Sequence, residues 1–285
     1  EWGLGMRMEG TLSFPKNGVL GKHPEIIEEV GEWIGKQCRM VGIHLNFAPV
    51  VDVNNNPDNP VVGIRSFGSD PKHVASCAQL MIKGMHKGGV LTCIKHFPGH
   101  GDTATDSHHT LPLILHGRDH LERVEFVPFK EGIIGGTGCV MTGHLFLPAL
   151  DPHHPATLSY PIVTELLQKE WGFQGLVITD ALNMKGVSDL YSAEEIAIRA
   201  LLAGHDILLY GAHLYEDVEY ILTELIPAVY EALLSIPEEI IDRHVLKILQ
   251  IKERLALHEN RLTEMPGDLM NLLHPAEAMK LTEYY

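Results

Sequence analysis

The sequence predicts an α/β fold of the closed (β/α)8, TIM-type barrel kind, and three observations carry that prediction. Short, almost wholly apolar runs alternate with stretches of helical periodicity, as in a parallel sheet covered by helices. Polar residues gather where the runs end, at Asp52, Lys95 with His96, His144, Asp180 and Tyr210. The C-terminal ends of the strands are where a barrel builds its site. No Gly-rich phosphate turn follows the first strand, as a doubly wound open sheet would show. Five strands are evident rather than eight, so either some are irregular or the chain begins after the first ones.

Taken in order, residues 1–15 are loop-like, with Gly3, Gly5 and Gly10 ahead of Pro15. Ile26, Ile27, Val30, Ile34 and Met40 recur at helical spacing, and Pro24 suits a first turn. GIHLNFAPVVDV reads as a strand whose end carries Asp52, and the polar stretch after it as a loop carrying Arg65. A helix over 73–87 feeds the apolar run 90–94, a buried strand. Then come a helix over 118–134, a strand over 138–144, a helix over 160–171 and a strand over 175–180. The next helix, over 192–203, has Ser192 or its neighbour as cap and Glu195 near its positive end. HDILLY (205–210) is the last strand, and helical segments over 214–234 and 237–257 finish the pattern. The tail from Met265, with Pro266, Gly267 and Pro275, reads as a linker. The expected division is a barrel over 1–262 and a linker over 263–285, leading towards a second domain.

A chain of 285 residues has room for one large domain with a sizeable core. A net charge of -15 excludes nucleic acid as the main partner, because binding phosphates needs clustered Lys and Arg. The four cysteines (Cys38, Cys77, Cys93, Cys139) have no CxxC or paired spacing, which fits a reducing compartment better than a disulfide scaffold. No apolar run approaches the ~18–20 residues of a membrane span. The chain opens at Glu1 rather than Met, so the lack of a signal peptide carries little weight. A cytoplasmic, bacterial location is expected, with a periplasmic or secreted one left open.

The chemistry concentrates in VLTCIKHFPGHGDTATDSHHTLP (90–112), where a strand gives way to a Gly-rich loop dense in titratable groups. His108 has Asp106 two residues before it; a carboxylate can fix one imidazole tautomer and make a general acid or base near neutral pH. Asp180 ends the run VIT, where an aspartate is costly unless it is paired or functional. It reads either as a helix cap or as a carboxylate nucleophile or base. Lys95, His96 and Arg65 supply donors without a metal, or else form a salt-bridge belt around the barrel mouth. No HExxH and no zinc-type ligand spacing is evident, so neither a metal nor any other cofactor is expected.

KHFPGHGDT, DSHHTLP and GFQGLVITDALNM together resemble glycoside hydrolase family 3, and specifically its NagZ-like β-N-acetylglucosaminidase branch. EWGLGMR, FAPVVDV, IRSFG, MTGHLFLPALD and PATLS fall in the same order, so the likeness covers nearly all of the chain to about Leu257. The resemblance implies a retaining exo-hydrolase with Asp180 as nucleophile, His108 as acid and then base, and Asp106 orienting His108. Arg65, Lys95 and His96 would bind the hydroxyls of a terminal GlcNAc, with help from Arg7. The implied substrate is a β-GlcNAc-terminated oligosaccharide or muropeptide, in cell-wall recycling, or a chitin oligosaccharide. The family pattern also has an aspartate two residues before the position of Glu1 and two barrel strands upstream. This piece alone is therefore expected to be incomplete, with exposed sheet edges and little stability. Alternatives are a β-GlcNAc phosphorylase, a β-glucosidase-type relative, and a barrel that only binds cell-wall glycan.

Overall fold

The computed structural model describes residues 1–103, 111–211, 218–259 and 266–284. Four strands, β1 (Leu45–Asn46), β2 (Leu91–Phe97), β3 (Cys139–Thr142) and β4 (Leu176–Thr179), pair in parallel and in sequence order. Helices connect them: α1 (Pro24–Met40) precedes β1, α2 (Pro71–Lys87) leads into β2, and α3 (Arg118–Arg123) with α4 (Phe126–Ile134) lies between β2 and β3. α5 (Pro161–Glu170), wound in the wider turns of a π-helix, leads to β4, and α6 (Ala193–Ala203) follows it.

The alternation of side chains along each strand separates two apolar layers. Ile94, Val140 and Val177 belong to the large cluster shared with α1, α2, α4 and α5. Their strand neighbours Cys93, Cys139, Met141, Leu176 and Ile178 form a second cluster with Leu45, Phe47 and Ile207. One face of the sheet therefore packs on the helices and the other on apolar side chains of its own. This is the arrangement of a (β/α) barrel, whose interior is filled rather than open.

Several elements depart from the sequence expectation for local reasons. The helix expected over 118–134 breaks at Val124. Pro128 has no N–H to reach back to that residue's carbonyl, and its ring would meet it. The strand expected over 205–210 pairs with β4 only at Ile207. Asp206 interrupts the ladder there, its Oδ2 accepting the Val177 N–H at 2.8 Å in place of a backbone carbonyl. Of the first expected strand only two residues make a ladder, with one further bridge from Val50 to Lys95. Pro49 between them has no N–H to donate.

The last helices close the fold from outside. Residues 218–233 are helical in three pieces, Val218–Tyr220, Ile221–Leu225 and α7 (Ile226–Leu233). In α8 (Glu238–Arg254), His244 Nδ1 and Lys247 Nζ reach Asp206 at 2.8 and 2.7 Å, and Asp206, through its bonds to Val177, ties this helix to the start of β4. The described part of the tail carries two short helices, Leu269–Leu272 and Ala276–Leu281. Leu273 and Ala278 bury there, and the Leu273 carbonyl accepts the Gln37 amide of α1 at 2.8 Å.

Candidate active site

The site lies where β2 and β4 end. β2 carries a bulge: Lys95 pairs with Met141 and Phe97 with Thr142, which leaves His96 as the extra residue. Successive side chains of a regular strand point to opposite faces, and a bulge re-aims one of them. Lys95 and His96 accordingly both line one cavity of about 550 Å³, with Glu1, Arg65, His100 and Asp180.

Asp52, just beyond the Val50 bridge, is fully buried and sets the orientation of His96. Its Oδ2 lies 2.8 Å from His96 Nδ1, and its Oδ1 accepts the backbone N–H groups of His96 (3.1 Å) and His100 (2.8 Å). Burial pushes the Asp52 carboxyl up, but the His96 ring and these hydrogen bonds outweigh it and hold it below the usual carboxylate range. With Nδ1–H given to Asp52, the Nε2 of His96 is turned to the cavity, 4.0 Å from Asp180 Oδ2.

Asp180 follows β4 directly, and its N–H donates to the Thr142 carbonyl of β3 at 3.0 Å. Its Oδ1 accepts the Ala181 N–H at 2.8 Å, while Oδ2 faces His96. Burial raises this carboxyl, but His96, His144, the Ala181 N–H and Lys95 together hold it below the ordinary range. It is therefore an ionised carboxylate at neutral pH with one oxygen directed to the cavity. The nearby His100 is buried, and burial together with His96 depresses it to about 4. His144 is committed elsewhere, between Thr157 Oγ1 and the Ala181 carbonyl, each at 2.8 Å.

Glu1 occupies the centre of the cationic side. Its carboxylate accepts Arg65 Nε at 3.0 Å and Nη2 at 2.6 Å, and lies 2.9 Å from Lys95 Nζ. Burial pushes the Glu1 carboxyl up, but Lys95 and Arg65 override it and hold it well below the usual range. Arg65 is held from the other side by its backbone, whose carbonyl accepts the Asn17 amide at 2.7 Å.

Of the residues expected from the sequence, Asp180, Arg65, Lys95 and His96 meet in this cavity, and Arg7 stands exposed at its rim. Asp106 and His108 lie outside the described residues. The roles of Glu1, Asp52 and His100 escaped the sequence reading. Asp52 was visible as a strand-end carboxylate, but its partner is 44 positions away, a relation that spacing does not encode.

The sequence profile of the glycosyl hydrolase family 3 N-terminal domain matches residues 1–251. The chain belongs to glycosyl hydrolase family 3. Its similarity to this family's curated and solved members is substantial. It is 42% identical over 209 residues to Beta-hexosaminidase A of Pseudoalteromonas piscicida, an alignment that covers 69% of this chain and 34% of that protein. A solved family 3 β-N-acetylglucosaminidase from Paenibacillus sp. FPU-7 superposes with a TM-score of 0.82 at 37% identity, over 97% of this chain and 54% of that one. A solved β-glucoside phosphorylase, BglX, superposes with a TM-score of 0.85 at 26% identity, over 96% of this chain and 51% of that one. The family 3 chain thus spans between a third and a little over half the length of these relatives.

Proposed function

We propose that the protein containing this chain is a retaining exo-β-N-acetylglucosaminidase acting by double displacement. The observation that carries this reading is Asp180. It is an ionised carboxylate at a barrel strand end, with Oδ1 anchored by the Ala181 N–H and Oδ2 directed into a cavity rimmed by Lys95, His96 and Arg65. A carboxylate so placed attacks an anomeric carbon and carries the sugar as a glycosyl ester until an acceptor displaces it. Lys95, His96 and Arg65 bind the hydroxyls of the non-reducing sugar, and Arg7 closes the rim. His108, oriented by Asp106, protonates the leaving oxygen and then deprotonates the incoming water.

The names of the β-hexosaminidase and β-N-acetylglucosaminidase relatives support a terminal β-GlcNAc as the sugar. A muropeptide is the natural aglycone under this reading, and four free, buried cysteines support a reducing, cytoplasmic setting for its turnover. A second reading, phosphorolysis, is favoured by the likeness to the β-glucoside phosphorylase. A histidine acid/base repels an anionic acceptor less than a carboxylate would.

The test is a time course of the full-length protein on nitrophenyl β-GlcNAc and nitrophenyl β-glucoside, with and without phosphate. Release from the GlcNAc compound alone, independent of phosphate, is expected. Acceleration by phosphate with formation of a sugar 1-phosphate would establish phosphorolysis. Asp180→Ala should abolish turnover, since no glycosyl ester can form, and a surviving rate within about tenfold, some 1.4 kcal/mol of barrier, would remove Asp180 from that role.

A further inference from the structure

Outside the cavity, the segment beyond His100 gathers a second set of titratable groups that the proposed reaction does not use. Asp102, His116 and His120 each turn a ligand atom to a common point, all within 4.8 Å of one another. His116 Nε2 contacts Asp102 Oδ2. The two imidazoles, His116 just before α3 and His120 in its first turn, stack with centroids 3.9 Å apart and planes inclined by 16°. His120 Nε2 is buried and has no hydrogen-bond partner among the described residues. Behind it, Glu125 has a completely buried side chain, with Oε1 3.6 Å from His120 Nε2. Asn55 Nδ2 donates to Glu125 Oε1 at 3.2 Å, whereas Oε2 is buried without a partner among the described residues.

A hydrogen bond from His116 to Asp102 satisfies only part of this group. It leaves His120 Nε2 and Glu125 Oε2 enclosed without a hydrogen-bond partner among the described residues, and such atoms are costly in a folded interior. A cation at the common point would meet the two imidazole nitrogens and a carboxylate oxygen at once. Glu125 Oε1, 3.6 Å from that same His120 Nε2, would add a buried negative charge beside the cation. Two imidazoles and one carboxylate suit zinc and its neighbours rather than calcium or magnesium, which ask for oxygen ligands.

We infer that Asp102, His116 and His120, with the buried Glu125 carboxylate beside them, form a binding site for one divalent transition cation of the zinc type. None of these four lines the cavity around Asp180. The spacing that could have signalled the site is HGRDH, an i,i+4 histidine pair at residues 116–120, with Asp102 supplied from an earlier loop. In sequence Asp102 and His116 flank the stretch that holds Asp106 and His108, so a cation here joins the two ends of that stretch.

The full-length protein, stripped with a chelator and titrated calorimetrically with Zn²⁺, should bind one equivalent with low-micromolar or tighter affinity. Co²⁺ in its place should give the visible absorption of a mixed N,O site. His116→Ala and His120→Ala, both at half-buried positions, should each weaken Zn²⁺ binding by about tenfold or more. His153→Ala, from a histidine pair on another loop, should leave it unchanged. Should the variants not fold, a crystal soaked in Zn²⁺ gives the answer, since an anomalous peak among Asp102, His116 and His120 supports the site. Absence of Zn²⁺ binding, a peak only elsewhere, or undiminished affinity in both histidine variants overturns it.

Discussion

At the scale of single residues the cavity is governed by two carboxylates that do opposite things. Asp180 keeps one oxygen directed to the cavity, whereas Glu1 spends its charge on Arg65 and Lys95. Without Glu1 the two cations would lose the carboxylate that bridges them, and long side chains so placed turn away from one another. Their donors would then leave the positions needed to bind sugar hydroxyls. Glu1→Gln keeps the shape and removes the charge, so under the proposed function it should raise KM for nitrophenyl β-GlcNAc about tenfold, equivalent to ~1.4 kcal/mol of binding. kcat should change less, because the bond-making carboxylate is untouched. A steady-state comparison checks this; an unchanged KM would mean that Arg65 and Lys95 hold their places without Glu1.

At the scale of elements, α1 and α2 approach closely because small residues line their contact. A methyl group on Gly84 of α2 would overlap the Glu28 carbonyl of α1, and one on Gly35 would lie 2.6 Å from the Met85 carbonyl. Neither obstacle is a side-chain tip that can swing aside; both are helical backbone. Gly84→Ala should therefore destabilise the fold by about 1–3 kcal/mol, despite alanine's better helix propensity. Urea unfolding measures it, and a neutral or stabilising result would show that the helices can slide apart. Both helices were legible in the sequence because Ile27, Val30 and Ile34 on one, and Val74, Ala78 and Met81 on the other, recur at helical spacing. Their small-residue contact was not, since a glycine within a helical pattern looks the same whether it is packed or idle. The strand expected over 205–210 is reduced to a single bridge for a local reason. Its apolar run is genuine, but the side chain of Asp206 takes a hydrogen bond that a ladder would have used.

Over the whole molecule, the barrel class and the strand ends were readable, whereas the links between strand ends were not. Asp52 to His96, Asp102 to His116 and Asp206 to His244 are each a carboxylate–histidine pair closed by the fold across distant stretches. Histidines also govern how the molecule responds to acid. His205 is buried between Thr142 Oγ1 and the Ala200 carbonyl, each 2.9 Å away, and burial depresses it to about 4. His100, depressed to about 4 as well, is the second such group. An unfolded histidine takes up its proton near pH 6.5. Between about pH 6.5 and 4, then, the unfolded chain binds protons that the native state refuses, and stability falls as pH falls. Each site contributes up to ~1.4 kcal/mol per pH unit inside that window, so the pair contributes roughly 2–3 kcal/mol per unit near its middle. Below it the carboxylates of Asp52 and Asp206, held below their usual range, begin to take up protons, and their contribution is lost in turn. Loss of stability should thus begin while every ordinary carboxylate is still ionised. Urea midpoints measured in steps from pH 7.5 to 4.5 should decline across this range, and His205→Gln, which has no titrating group there, should have a shallower slope than wild type. Stability that stayed level down to pH 5 would mean that both imidazoles accept protons in the native state.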